Sequence, residues 1–324
     1  MLVILLTFAR KITQRMKKVV SLLLLMLCHT LLYAQIEIRN PKEKVGLSVS
    51  IDGLSNSDYS WDVSGKDNIA DGRMKRSMNV RVKSGLGIVS SRIFNVSVSP
   101  FYNYRTTRLQ TDWQGEQMFN FPKEHHHYGA TVFGSMNMLI GKKPMTIFAT
   151  TAPNFSQYGY ENMSGMYGAM VHLTMTQDTY FALGAIYLYG SPFSWPLYPL
   201  VILRHKFNDR WSVNCMEVND FLYYQASPKV RYALGAELVS DWHYFRPKSD
   251  YLPKKAIYSL MSERVGLYAE LQATKELSFQ LSAGTSFPIW GRVRESGHKH
   301  VYMKLHDDVK PFVQLKLNYS LKRQ

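Results

Sequence analysis

The ten histidines and their neighbouring acids are the first residues in this 324-residue chain whose types could do chemistry. Glu124-His125-His126-His127 is one run, and His298, His300 and His306 with Asp307 and Asp308 form another. Two loops carrying such clusters would offer imidazole and carboxylate ligands to a transition metal. Their spacing follows no fixed ligand pattern, and a structural metal site needs ligands held by supporting hydrogen bonds. Solvated histidines on exposed loops are the plainer reading. Asp241-Trp242-His243 is a sharper candidate, because an aspartate that orients a histidine is half of a water-activating pair. The remainder of a hydrolytic site is missing from the sequence, which has no Asp-x-Asp, no His-x-Ser and no Gly-x-Ser-x-Gly. A Gly-rich phosphate loop is absent too, so the motifs point away from an enzyme and imply no cofactor.

A third set of residues is basic: Arg81, Lys83, Arg105, Arg231, Arg264 and Lys316. Each falls in the polar phase of an alternating stretch, and Glu237 and Glu270 fall in the same phase. If that phase lines the inside of a barrel, one sign of charge prevails there and anions are favoured. The same residues are equally compatible with Arg–Glu networks that close a narrow interior, or with a polar interior of no selectivity.

What must position these residues is visible at the end of the chain. Val313, Leu315, Leu317, Tyr319 and Leu321 alternate with Gln314, Lys316, Asn318 and Ser320. In an extended chain every apolar side chain then lies on one face and every polar one on the other. The length suits the ~9 to 11 residues of a tilted membrane strand. The pattern returns upstream at Val45 to Ile51, Met78 to Val82, Phe94 to Val98, Tyr167 to Leu173, Val265 to Leu271 and Leu277 to Leu281. Tight turns are expected near Val89 to Arg92, Gly141 to Lys143, Thr176 to Asp178, Asn208 to Arg210, Ser227 to Lys229 and Thr274 to Glu276. Six turns and two free termini give fourteen strands. Leu197 to Phe207 is apolar on both faces and carries Pro199, and Trp211 to Gln225 is a short hairpin. Were that hairpin outside the membrane, twelve strands would remain.

Long segments rich in Gly, Pro, Asn, Asp and Ser are expected as loops on the outer side: Gly53 to Lys75, Gln110 to Glu124, Pro153 to Ser164, Gly190 to Trp195, His243 to Leu260 and Trp290 to Asp308. Tyr102, Tyr104, Tyr187, Tyr189, Trp242 and Tyr244 sit near strand ends, where aromatic girdles meet the membrane interfaces.

The N-terminus reads as a targeting segment. Lys17 and Lys18 precede the apolar run Val19 to Leu27, which closes through Leu31-Leu32-Tyr33-Ala34, so residues 1–34 are an upstream extension and secretory signal, with Met16 the expected start and 35–324 the barrel. Cys28 lies in that signal, leaving Cys215 alone with no partner for a disulfide. Without the five basic residues of the first 34, Lys and Arg number 34 against 24 acids. For an exported barrel such a surplus meets lipid phosphates and small anions, not nucleic acid, and solvated charge on rims and loops is a plainer reading than either. The expected partners are outer-membrane lipid and the barrel-assembly machinery.

The signal ending Leu31-Leu32-Tyr33-Ala34-Gln35, the turn-rich strands Tyr198 to Trp211 and the run Tyr223 to Trp242 resemble the uncharacterised outer-membrane β-barrel families of Bacteroides-type Gram-negative bacteria. The resemblance implies fold and location and no activity. The sequence is therefore read as all-β: one antiparallel transmembrane barrel of about fourteen strands, acting as a passive pore or structural membrane protein. Surface binding through Gly53 to Lys75 and Trp290 to Asp308 is the alternative, and a rim hydrolase using Asp241 and His243 a weaker one.

Overall fold

The structure is a computed structural model and describes residues 43–322 apart from 56, 64–65, 112–121, 191–195, 216–218, 249–251, 297 and 299. The signal, Met16 and Cys28 lie outside the described residues. The elements in chain order are β1 (Glu43–Leu54), β2 (Ser57–Val63), β3 (Lys66–Ser90), β4 (Phe94–Thr111), β5 (Glu124–Ile140) and β6 (Lys143–Ser156). They continue with β7 (Gly159–Met175), β8 (Thr179–Tyr189), β9 (Leu197–Lys206), β10 (Trp211–Cys215) and β11 (Asn219–Ser227). The last are β12 (Val230–Phe245), β13 (Ala256–Gln272), β14 (Leu277–Glu295), β15 (Val301–Asp307) and β16 (Lys310–Lys322).

Every neighbour pair is antiparallel, and β1 pairs with β16 on one edge and β3 on the other, which closes the sheet. Above that seam β2 and β15 take over, pairing with each other and with β3 and β14. β1 with β2, and β15 with β16, thus follow single interrupted paths, and the barrel has fourteen staves. The short hairpin of β10 and β11 belongs to the wall, bonded to β9 and β12, so the twelve-strand alternative does not hold.

All six expected tight turns are present, and the chemistry of their residues explains them. Asn208 Oδ1 accepts from the backbone N–H of Arg210 and Trp211, both at 2.9 Å. The hydroxyl oxygens of Ser91, Thr176, Ser227 and Thr274 accept in the same way from the backbone N–H three places further on. Such local side-chain acceptors stabilise a reversal in place of the ladder. The sixth turn uses Gly141, whose φ of 59° is in the left-handed region.

Three of the expected loops are strands. Gly53 to Lys75 contains β2 and the start of β3, Trp290 to Asp308 contains the end of β14 and β15, and Pro153 to Ser164 is β6 and β7 joined through residues 157–158. Their Gly, Asn and Ser content reads as loop, yet above the lipid a strand needs no apolar face, and ladder pairing alone sustains it.

The outer phase is apolar where lipid would lie. Leu267 is 68% exposed, and Leu234, Leu281, Val313 and Leu315 are also exposed. Such a belt is tolerable only against hydrocarbon. Trp211, Tyr232 and Tyr319 edge it near the short turns, and Tyr102, Tyr128, Tyr160 and Tyr167 edge it further up. Tyr167 stacks on Tyr187 and Tyr128 on Phe155.

Inside, the wall divides into two sectors. Phe148, Met166, Met170, Ile186, Leu188, Leu200 and Ile202 on β6 to β9 make an apolar cluster facing the lumen. This is why Leu197 to Phe207 looks apolar on both faces: β9 meets lipid outside and this cluster inside. The facing sector, on β1, β3, β4, β12, β13 and β16, is polar. Gly266 and Gly284 oppose each other there, and a Cβ on Gly284 would fall 2.6 Å from the Gly266 Cα, so the two strands approach through the missing side chains.

Candidate functional site

Five charged side chains link up inside the polar sector. Asp241 on β12 accepts from Arg81 Nη2 at 2.8 Å and Asn79 Nδ2 at 3.2 Å through Oδ1, and from Arg105 Nη1 at 3.0 Å through Oδ2. Arg81 Nη2 also lies 3.3 Å from Asp52 Oδ2, which accepts from Arg264 Nη2 at 3.1 Å. Asp52 Oδ1 accepts from Gln314 Nε2 at 3.3 Å. The order is Arg105, Asp241, Arg81, Asp52, Arg264, alternating in sign and contributed by β4, β12, β3, β1 and β13. Period-two phase puts them together, since each lies on the inward side of its strand. Arg264 and Asp52 are almost wholly buried. In so dry a setting a charge persists only with partners, and breaking one such link is far more costly than at a surface.

The upper ends of β12 and β13 hold Asp241 in place. The ladder between β11 and β12 ends at Asn219–Glu237, while β12 runs on to Phe245 beside β13. Over this stretch both phases are buried, from Leu238 and Val239 to Tyr244 and Phe245, and from Ala256 to Met261 opposite. A stave facing lipid would expose one phase, so this hairpin bends inward and meets β5 across the lumen. The His243 ring lies tilted against His125 with ring centroids 4.6 Å apart, and Trp242 and Tyr244 meet His127 at 6.2 and 5.5 Å. Arg105 Nη1 donates to His243 Nε2 at 2.9 Å, and since arginine stays protonated this ring nitrogen is the acceptor. His127 Nε2 lies 3.0 Å from Asn154 Oδ1.

A latch secures the hairpin at the mouth. Arg246 Nη2 donates to Glu161 Oε1 at 2.8 Å and its guanidinium sits 4.7 Å from the Tyr158 ring centroid. Ser156 Oγ donates to the same carboxylate oxygen at 2.5 Å, and Ser296 Oγ to the Glu161 carbonyl at 3.3 Å. The β6–β7 turn is thereby tied to the tip of β12.

Beneath the hairpin lies a cavity of about 290 Å³ whose lining includes Arg81, Lys83, Arg105, Glu237, Asp241 and Trp242 from β3, β4 and β12, and Ala152, Met166 and Leu188 from β6, β7 and β8. A second, of about 90 Å³, is lined by Arg231, Glu237, Glu270, Gln314 and Lys316 among others. Of the six basic residues read from the sequence, Arg81, Lys83 and Arg105 line the first cavity, Arg231 and Lys316 the second, and Arg264 is buried in the charged chain, so they form no lining of one sign. Asp52 and Asp241 interleave with the arginines, and Arg231 pairs with Glu270 at 2.5 Å. Sequence reasoning missed Asp52, though its phase with Ser48 and Ser50 pointed inward. The alternation puts Asn79 and Gln314 on the polar face, but their contacts with Asp241 and Asp52 were not legible, because neutral polar residues carry no chemical signature.

Two expectations for the rim are corrected. Asp241 and His243 are 8% and 5% exposed and lie inside the barrel, with both Asp241 oxygens and His243 Nε2 accepting from arginines, so they make no surface water-activating pair. Trp242 and Tyr244 line the interior rather than a girdle, since the hairpin turns its outer phase inward. His125, His126 and His127 are on strand β5, not on a loop, and His298 and His306 are exposed elsewhere. Among the described residues no group of three or more His, Cys, Asp or Glu has the geometry to hold a metal.

No family model matches the chain, and no curated protein matches it either. Among solved structures it is similar to an outer membrane channel from Pseudomonas putida F1, with 11% identity and a TM-score of 0.42 over 89% of this chain and 98% of that one. It is similar also to a TodX mutant, a monoaromatic hydrocarbon channel, with 10% identity and a TM-score of 0.41 over 88% and 94%. A third is the outer membrane protease OmpT from Escherichia coli, with 8% identity and a TM-score of 0.32 over 89% and 99%.

Proposed function

We propose that this barrel is a gated channel of the outer membrane for small solutes, rather than an open pore or a purely structural stave. The observation that carries this reading is the inward β12–β13 hairpin, latched to Glu161 above a cavity lined by both charged and apolar side chains. A structural barrel has no need of a cavity under a separable cover. A permanently open pore would not bury both faces of a hairpin in its lumen. Export by the signal in residues 1–34, and insertion by the barrel-assembly machinery, belong to the same proposal.

The test is conductance in a planar bilayer, with outer-membrane fractionation confirming location. The parent protein should show small, infrequent conductance steps. Glu161→Gln and Arg246→Ala, which release the latch without touching the cavity, should raise the mean current severalfold. Currents equal to those of a protein-free bilayer for the parent and both variants would return the protein to a structural role.

A further inference from the structure

The buried chain of alternating charge has an arginine at each end, and it is one carboxylate short. Arg105, Arg81 and Arg264 face two acids, Asp241 and Asp52, and all four carboxylate oxygens already accept a hydrogen bond. Among the described residues Arg105 Nη2 and the Nε and Nη1 atoms of Arg264 have no hydrogen-bond partner. A buried guanidinium donor without an acceptor is costly, and a surplus buried charge more so. The Arg105 end of the chain is 2% exposed and forms part of the wall of the larger cavity. Lys83 and Glu237 also line that cavity and carry opposite charges, so the surplus of one positive charge remains. The wall that faces it is mixed, with Ala152, Met166 and Leu188 beside Asn154 and Ser164.

We propose that this cavity binds a small organic monoanion: a carboxylate held against Arg81, Lys83 and Arg105, with an apolar body against Met166, Leu188 and Trp242. Arg105 Nε donates to Ser77 Oγ and its Nη1 to Asp241 and His243, so a carboxylate would use its two oxygens on neighbouring cations and not on the fork of Arg105 alone. A single negative charge balances the network, whereas a phosphate dianion overshoots it. A cavity of about 290 Å³ has room for a body the size of a single ring or a short chain. The bound carboxylate completes the series as its third acid. The site deepens the channel reading and rests on it for the ligand's way in, although binding needs no conduction.

Titration calorimetry on the purified full-length protein in uncharged detergent tests the site, with benzoate as probe. Benzyl alcohol has the same body without the charge, acetate the charge without the body, benzylamine the opposite charge, and inorganic phosphate the other anion chemistry. Benzoate should bind at one saturable site, at least tenfold tighter than any of the four. Lys83→Gln and Arg81→Gln should each weaken it at least tenfold, while Arg231→Gln, in the second cavity, should leave it unchanged. Should Arg81→Gln fail to fold, Lys83→Gln decides alone. Benzoate no tighter than benzyl alcohol, affinity indifferent to Lys83→Gln, or a preference for benzylamine would each overturn the site. Benzoate binding without any conductance, even after the latch is released, would sink the channel and leave the site standing.

Discussion

The carboxylate of Asp52 lies between Arg81 and Arg264 and is fully enclosed, so its removal strands two cations at once. Asp52→Ala should destabilise the barrel by about 3 to 5 kcal/mol, the range for breaking a buried pair from one side. Urea titration of folding into lipid vesicles, read by the slower gel migration of unfolded barrel, would measure it, and a loss below 1 kcal/mol would mean that water reaches the network. Lipid sets the penalty on the opposite face. Leu315 is 48% exposed on the outer face, and Leu315→Arg should cost about 2 to 4 kcal/mol if it lies near the bilayer centre. Asn318 points inward, bonded to Ser48 Oγ at 2.9 Å, and Asn318→Arg should cost much less, because the added charge enters a polar lumen. Equal costs at the two positions would deny the strand a lipid face. Gln314, although also inward, is no substitute for Asn318 in this comparison, since it is buried against Asp52.

Among the elements, the turns and the hairpins differ in how they are made and in which side of the membrane they face. Single cysteines at Lys142 or Lys275, after Cys215→Ser, should react with an impermeant thiol reagent only once the outer membrane is opened. A cysteine at Ser296 should react in intact cells, and the reverse pattern would invert the barrel. The short turns were legible in the sequence because each contains its own stabilising chemistry, a Ser, Thr or Asn acceptor or a left-handed Gly, between two runs of period two. The upper strands were not, because outside the lipid the alternation disappears and β2, β15 and the top of β3 have the composition of loops. β9 was ambiguous for the opposite reason, with apolar side chains required on both faces. The placement of Asp241 and His243 was beyond reach of local pattern: the alternation correctly gives their phase, but the inward bend of β12 depends on the β11–β12 ladder stopping at Asn219–Glu237 and on Arg246 meeting Glu161 far away in sequence.

At the scale of the whole molecule the barrel depends on its seam, where β1 and β16 pair from Glu43–Lys322 to Leu54–Phe312. These partners are separated by nearly the entire described chain, whereas every other stave of the main wall bonds to its neighbour in sequence. Bringing them together forfeits the most chain entropy for its first contact, so closure should be the slow, final event of assembly. Until then the sheet has two long unpaired edges, each able to bond to another copy. Ser48 and Asn318 face each other across the seam, and cysteines at both positions, in a Cys215→Ser background, provide a clock for the event. During refolding into vesicles their disulfide should appear only after β-sheet circular dichroism has reached its full value, and a bond that forms ahead of the sheet would place closure first. The same topology makes the unfinished barrel the species most exposed to mispairing, so the time spent with the seam open, more than the strength of any one stave, sets how much chain is lost to aggregates.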